Sequence, residues 1–395
     1  MRTSFIITAI LFIFIFLPDL IIFQELKKQF KKKWPLILHV SISSFFLVGI
    51  LLLFLLVRSS HDEDEIQLFM WFNWLLLLVY LPKVIFSIFI LLDRLASKII
   101  PTIRHLFIYI GLFLASVTFI AFIYGAFKGR LELTTDRVAI HIAELPKTFN
   151  GFKIIQISDL HIGNLGHEPR FWQRIVDSIN AEKPDLIVMT GDMMNNFANE
   201  LTPNDIALFS TLRAQYGKIA ILGNHDYGDY TKWPSKEAKQ ANLDSLEQRE
   251  RRMGFRLLLD EHLFIVKNHD SIAIAGVQNW SKPPFHCYGN LPKAMNEIEN
   301  FPFVILLTHD PNHWMAQAVN YPTIFLTLSG HTHAMQFGIN RFGIHWSPAE
   351  WMFKQWDGLY VYQNKYLYVN RGLGYIGVPI RIGMPPEISI ITLIK

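Results

Sequence analysis

The spacing of hydrophobic positions changes once along this chain of 395 residues. Before that change they form four long apolar stretches, at 3–23, about 35–57, 66–92 and 105–127. Wound as helices at 1.5 Å per residue, each is long enough to cross a hydrocarbon core of ~30 Å. From Leu131 the apolar runs become short, as in buried strands, and alternate with segments of helical period. One such segment, 169–183, sets Phe171, Trp172, Ile175, Val176 and Ile179 on a single stripe. Thr202-Pro203 gives an N-cap and a first-turn proline to a second helix, which Gly217 is expected to end. A charged surface helix is expected over 235–253, stopped by Gly254, and another after Asp310-Pro311. The pattern predicts a transmembrane region over 1–127, a linker at 128–136 and an α/β domain over 137–395.

Five of the short runs end in residues of metal-ligating type. Residues 154–158 lead into Asp159-Leu160-His161, and 186–190 into Gly191-Asp192. Ile219 to Leu222 leads into Gly223-Asn224-His225-Asp226, 303–308 into His309-Asp310, and 325–329 into Gly330-His331-Thr332-His333. Open α/β sheets place their sites beyond the carboxyl ends of strands, so these tips describe a polar cup at one sheet edge. One-residue spacing in an extended segment is expected to put Asp159 beside His161, and His331 beside His333. With Asp192, Asn224 and His309 they give too many nitrogen and oxygen ligands for one tetrahedral ion. Two ions sharing a carboxylate suit the set, and imidazole with carboxylate favours Zn, Mn or Fe over Mg or Ca.

Composition sharpens the division. Residues 1–130 hold 13 Lys and Arg against 7 Asp and Glu, leaving 24 and 26 for the remainder, so the net +4 belongs to the membrane part. The near-neutral second half gives no reason to expect a nucleic-acid partner. Cys287 is the single cysteine, which excludes an intrachain disulfide and cysteine-rich zinc ribbons. Lys27, Lys28, Lys31, Lys32 and Lys33 in the first spacer, with Arg94, Lys98 and Arg104 in the third, favour a cytoplasmic side. The second spacer sets Arg58 against Asp62, Glu63, Asp64 and Glu65. Four crossings are then expected to leave the α/β domain outside the cytoplasm, although Lys128 and Arg130 after the fourth stretch point the other way. Asp19 and Lys83 lie within apolar stretches and are expected either to pair or, respectively, to end a helix and to snorkel.

In this order the five motifs resemble the calcineurin-like metallophosphoesterase superfamily, specifically its bacterial membrane-anchored branch. The similarity extends to the tail Val369-Asn370-Arg371-Gly372-Leu373-Gly374 and Pro386-Glu387. It implies an α/β fold with two mixed sheets face to face and helices outside, a four-layer α/β/β/α sandwich behind the four transmembrane helices. It also implies one ion on Asp159, His161, Asp192 and His333, with Asp192 bridging to a second on Asn224, His309 and His331. His225 would face the substrate and protonate the leaving oxygen, and Asp226 would either orient that imidazole or serve as a turn carboxylate. The chain departs from the family at Ala334-Met335-Gln336, where many members have Gly-Gly-Gln, and at Asn195, where an acidic residue is common.

The expected function is hydrolysis of a phosphomonoester or phosphodiester by metal-bound hydroxide. The favoured substrates are envelope compounds such as lipid-linked phosphates. A membrane sensor that binds metal without catalysis is the alternative. His313 is expected at the surface, with contact to the site as the other option, and His167, in a Gly-rich loop, is a candidate for substrate contact. Arg249, Arg251, Arg252 and Arg256 form a basic run suited to a solvated helix face or to phosphate head groups. Trp346, Trp351, Phe353 and Trp356 crowd a loop-rich stretch that either rests on a bilayer or is buried.

Overall fold

In the computed structural model the backbone is described for residues 2–57, 63–103, 105–165 and 168–395, and side chains from residue 13 onward outside 53–65. The spacer charges at Arg58, 62–65 and Arg104 lie outside the described side chains, and so does His167.

The chain divides into two compact units. The first holds helices α1 (Arg2–Gln29), α2 (Trp34–Val57), α3 (Glu63–Ile99) and α4 (Leu106–Phe127). Among the described residues three segments are long and apolar enough to cross a membrane: Trp34–Leu52, Ile66–Ile99 and Pro101–Leu131. α1 does not end at Asp19 but runs on past it. Lys83 Nζ lies 2.7 Å from Asp19 Oδ1, and the Tyr80 hydroxyl donates to Asp19 Oδ2 at 2.9 Å. Lys83 also donates to Ser43 Oγ at 3.3 Å, so one part-buried cluster ties α1, α2 and α3 together. Where water is scarce, a carboxylate and an ammonium are tolerated because each satisfies the other.

The second unit carries β1 (Thr134–His141), β2 (Phe152–Ile157), α5 (Pro169–Ala181), β3 (Leu186–Met189), α6 (Pro203–Ser210), β4 (Lys218–Ala220), α7 (Lys236–Arg252) and β5 (Phe255–Leu257). It continues with β6 (Glu261–Lys267), β7 (Asp270–Gly276), α8 (Leu291–Met295), β8 (Val304–Leu307), α9 (Asn312–Ala316) and β9 (Ile324–Ser329). The hairpin β10 (Ile339–Arg341) and β11 (Ile344–Trp346) follows, then β12 (Gly358–Tyr362), β13 (Lys365–Val369) and β14 (Glu387–Ile394). β1 begins at Thr134, inside the stretch expected as linker, because its residues pair with β14.

Two six-stranded mixed sheets result, ordered β1-β14-β2-β3-β4-β5 and β12-β13-β9-β8-β7-β6. Ile154, Val188 and Ile221 of the first meet Ile274, Ile305 and Leu326 of the second in one apolar core. Burying each such side chain contributes about 1.5–3 kcal/mol. The other face of the second sheet packs Ala273, Val304 and Leu367 against Leu291 and Met295 of α8 and Trp314 of α9. α5 buries the stripe read from the sequence, Phe171 to Ile179, at its expected positions. α7 has its Ser235 cap and ends where Gly254 takes φ 87°. α6 is shorter than expected. It ends at Ser210, and Gly217 instead turns the chain into β4.

β2, β3, β4, β8 and β9 all stop immediately before or within the residues that form the polar cup. The loops are zipped together: Asp159 N–H donates to the Gly191 carbonyl, and His161 N–H to that of Asp192.

Candidate metal centre

Asp159, His161 and His333 offer ligand atoms within 4.8 Å of one another, and Asp192, His309 and His331 do the same. The extended-segment argument fails here. Asp159 and His161 have φ 51° and 42°, and His331 and His333 have φ 76° and 50°. Left-handed turns, not strand alternation, aim these side chains, and His331 and His333 point into different groups. Such backbone is costly for residues other than glycine and clusters at functional sites. Close approach of the loops needs glycine: a Cβ on Gly330 would fall 2.0 Å from Ser158 Oγ, and one on Gly223 2.2 Å from Asp192 Oδ1.

Asp192 stands between the groups. Its Oδ2 lies 3.6 Å from His161 Nε2 and 3.2 Å from His309 Nε2, while Oδ1 accepts the His225 N–H at 2.8 Å. His309 Nδ1 donates to the Thr190 carbonyl at 2.7 Å, which aims Nε2 inward, 3.1 Å from both Asn224 Oδ1 and His331 Nδ1. His161 Nε2 and His333 Nε2 face each other at 3.2 Å. Crowded nitrogen and oxygen lone pairs with few protons between them suit cations, so this donor set fits a divalent pair.

Burial and mutual charge displace the titration of the cup residues. Burial pushes His309 down, but the Asp192 and Asp159 carboxylates outweigh it and lift its pKa to about 10. Asp192 is held well below the carboxylate range: burial raises it, and His309 and His225 more than reverse this. Burial drives His161 down to about 3 and His333 far down, the latter helped by His161 and Arg381. Neutral imidazoles are the form that binds metal.

His225 is also buried, and burial lowers its pKa. Its Nδ1 donates to the Asn195 carbonyl at 2.9 Å, and its ring meets His161 edge-on at 4.8 Å. Asp226 does not orient this ring. Its carboxylate accepts backbone N–H groups from Asp192, Met193, Met194 and Gly223, so the turn role holds and the orienting role falls to a backbone carbonyl. Burial and the nearby Asp192 charge raise Asp226 to about 7.

Two further expectations are corrected or divided. His313 is neither at the surface nor in the cup: it is buried between Thr308 Oγ1 and Gln317 Oε1, each at 2.8 Å, and stacked on Trp280. The aromatic stretch splits, with Trp356 buried and Trp351 exposed. Two neighbours of the site carried no sequence signal. Arg381 Nη2 lies 3.3 Å from His333 Nδ1, and Tyr230 stacks on His225 at 4.3 Å. Arg381 comes from a distant loop, and Tyr230 from an irregular turn, so neither spacing nor period marks them.

Residues 152–335 match the family model for calcineurin-like phosphoesterases, and residues 1–130 the model described as a probable calcineurin-like phosphoesterase transmembrane domain. The chain is 31% identical over 262 residues to the uncharacterized metallophosphoesterase YkuE of Bacillus subtilis, covering 66% of this chain and 85% of that one. An uncharacterized metallophosphoesterase of Aquifex aeolicus is 30% identical over 282 residues, 70% of this chain and 98% of its own. A transmembrane protein with metallophosphoesterase domain from Danio rerio is 30% identical over 286 residues, 70% of this chain but only 61% of that protein. Among solved structures, NAD nucleotidase of Haemophilus influenzae aligns with TM-score 0.37 and 13% identity over 56% of this chain and 45% of its own, too distant to inform the chemistry. The chain belongs to the calcineurin-like phosphoesterase family, with a transmembrane domain ahead of its metallophosphoesterase domain.

Proposed function

We propose that the protein hydrolyses a phosphomonoester or phosphodiester at a two-metal centre. Asp159, His161, Asp192 and His333 would hold one ion, and Asp192, Asn224, His309 and His331 the other. The observation that carries this reading is the Asp192 carboxylate, set between nitrogen ligands of both groups. Two divalent ions of the Zn, Mn or Fe type supply, when bound, an acidified water and a clamp on phosphoryl oxygens. The chain's own residues do the rest. Thr190 holds His309 in the tautomer that presents Nε2, and Asn195 does the same for His225. His225 Nε2 is therefore the atom free to take up a proton; once protonated it would pass that proton to the leaving oxygen and be reprotonated from solvent. The catalytic domain lies outside the cytoplasm by the loop-charge argument, and the membrane domain makes an envelope or lipid-linked phosphate the favoured substrate.

The test is to strip the full chain of metal in detergent, restore Mn or Zn singly, and assay aryl phosphomonoesters and diesters. Turnover should return with the metal. His225→Ala should keep both ions and lose the ~10²–10⁴-fold typical of a proton-transfer group. Two ions bound with no turnover of any ester would favour the sensor alternative. No uptake of metal would end both readings.

A further inference from the structure

Phe342 occupies the tip of the β10–β11 hairpin and is 97% exposed. Arg341 pairs with Ile344, leaving Phe342-Gly343 as a two-residue turn with φ 56° and 78°. Turns of this kind favour Asn-Gly, because a bulky side chain is strained at positive φ. Met335 repeats the anomaly, with φ 46° on a half-exposed side chain. Two positions that suit glycine or asparagine thus present large apolar groups to the outside. In water that arrangement costs free energy twice, through strain and through exposure.

The surface around them is continuous. Trp346 meets Phe337 at 6.4 Å and Trp351 at 6.0 Å, which joins the hairpin to the exposed pair Trp351 and Met352, the former 77% exposed. Phe353 then contacts the His331 ring edge-on at 5.5 Å, so the patch reaches the rim of the candidate metal centre. Arg341 and Lys354 are exposed within it, against one exposed carboxylate, Glu350. The occupant is indicated by the chain itself. Helix α4 ends at Phe127 and β1 begins at Thr134, so residues 128–133 tether this domain to a transmembrane segment. Tryptophan at a boundary, apolar tips and flanking cations are the features of a surface that lies in the headgroup–acyl interface.

We propose that the 335–354 surface, with Phe342 and Trp351 as its anchors, docks on a bilayer containing anionic lipid. The inference does not depend on the metal chemistry. To test it, Cys287, the single and exposed cysteine, is replaced by serine in the full chain. A nitroxide is then attached at Phe342→Cys, at Trp351→Cys, or at Glu237→Cys on the exposed face of α7 as reference. The protein is reconstituted in phosphatidylcholine–phosphatidylglycerol liposomes, and collision with oxygen is compared with collision with a water-soluble nickel complex. Labels at 342 and 351 should favour oxygen, at the ~5–10 Å depth of interfacial elements, while the label at 237 favours nickel. An unchanged thermal unfolding midpoint in each labelled variant shows that the hairpin still folds, and either anchor position alone suffices for the comparison. Labels at 342 and 351 as open to nickel as the one at 237 would overturn the proposal. So would spin–spin broadening between chains that persists in detergent, because it would identify a second copy as the occupant.

Discussion

Tyr230 lies on the His225 ring at 4.3 Å and 24°, and its hydroxyl oxygen accepts a hydrogen bond from Asn224 Nδ2 at 2.7 Å. One side chain therefore braces two neighbouring members of the candidate site. With Nδ2 drawn outward, Asn224 Oδ1 faces His309 Nε2, where a metal would find it. Tyr230→Phe keeps the stack and releases the amide. The expected outcome is a ~10–100-fold weaker affinity for one of two ions, measured by calorimetric titration, with the other unchanged. Tyr230→Ala also frees the imidazole, so turnover should fall further than metal loss explains.

Asp226→Ala is expected to act on stability before chemistry. It strips the acceptor from backbone donors in two loops, and each donor left buried and unpaired costs about 1–3 kcal/mol. At roughly 2–4 °C per kcal/mol for a domain of this size, a lowered unfolding midpoint should be plain in calorimetry. Asp226→Asn, which retains one carbonyl oxygen, should lose less.

Asp19→Asn and Lys83→Met should each destabilise the transmembrane unit. Removing one partner of a buried pair costs about 3–5 kcal/mol, because the remaining charge has no counterpart. Thermal scanning in detergent is the measurement. The charge swap Asp19→Lys with Lys83→Asp should recover part of the loss only, since Tyr80 and Ser43 are placed for the native arrangement.

His313 gives the domain an acid-sensitive step. Burial lowers its pKa to about 4, against 6.5 for a free imidazole, although Gln317 pulls the other way. Between those values the unfolded chain binds a proton that the folded ring does not, so stability falls as the pH drops through this window. The full effect is about 3 kcal/mol. Denaturant midpoints of metal-free protein measured at pH values across the window should fall less in His313→Gln than in wild type.

Much of this molecule is legible in its sequence. The α5 stripe and the Ser235 and Gly254 boundaries follow from local period and caps and sit where expected, and the long apolar stretches are helical, although α1 and α3 run on to Gln29 and Ile99. The five strand tips likewise converge. What could not be read is direction at the tips. Whether His331 and His333 share a pocket depends on backbone angles that their neighbours impose, and the left-handed turns separate them. Asp226 was ambiguous for a related reason. A carboxylate beside a histidine reads equally well as partner or as brace until the distant N–H groups of Asp192 and Met193 are in view. The burial of His313 is not legible because one helical turn of sequence does not reveal that Thr308 and Gln317 enclose it.

β1 has one neighbour in its sheet, and that neighbour is β14, more than two hundred residues away in sequence. As the polypeptide leaves the ribosome, the strand that follows the membrane helices therefore waits unpaired while all the ligand-bearing loops are made. β2 is left with an open edge over the same interval, since β14 sits between the two. Closure of this half of the domain therefore waits for β14. Until then β1 and the facing edge of β2 are unpaired strand edges, of the kind that invites pairing with another chain.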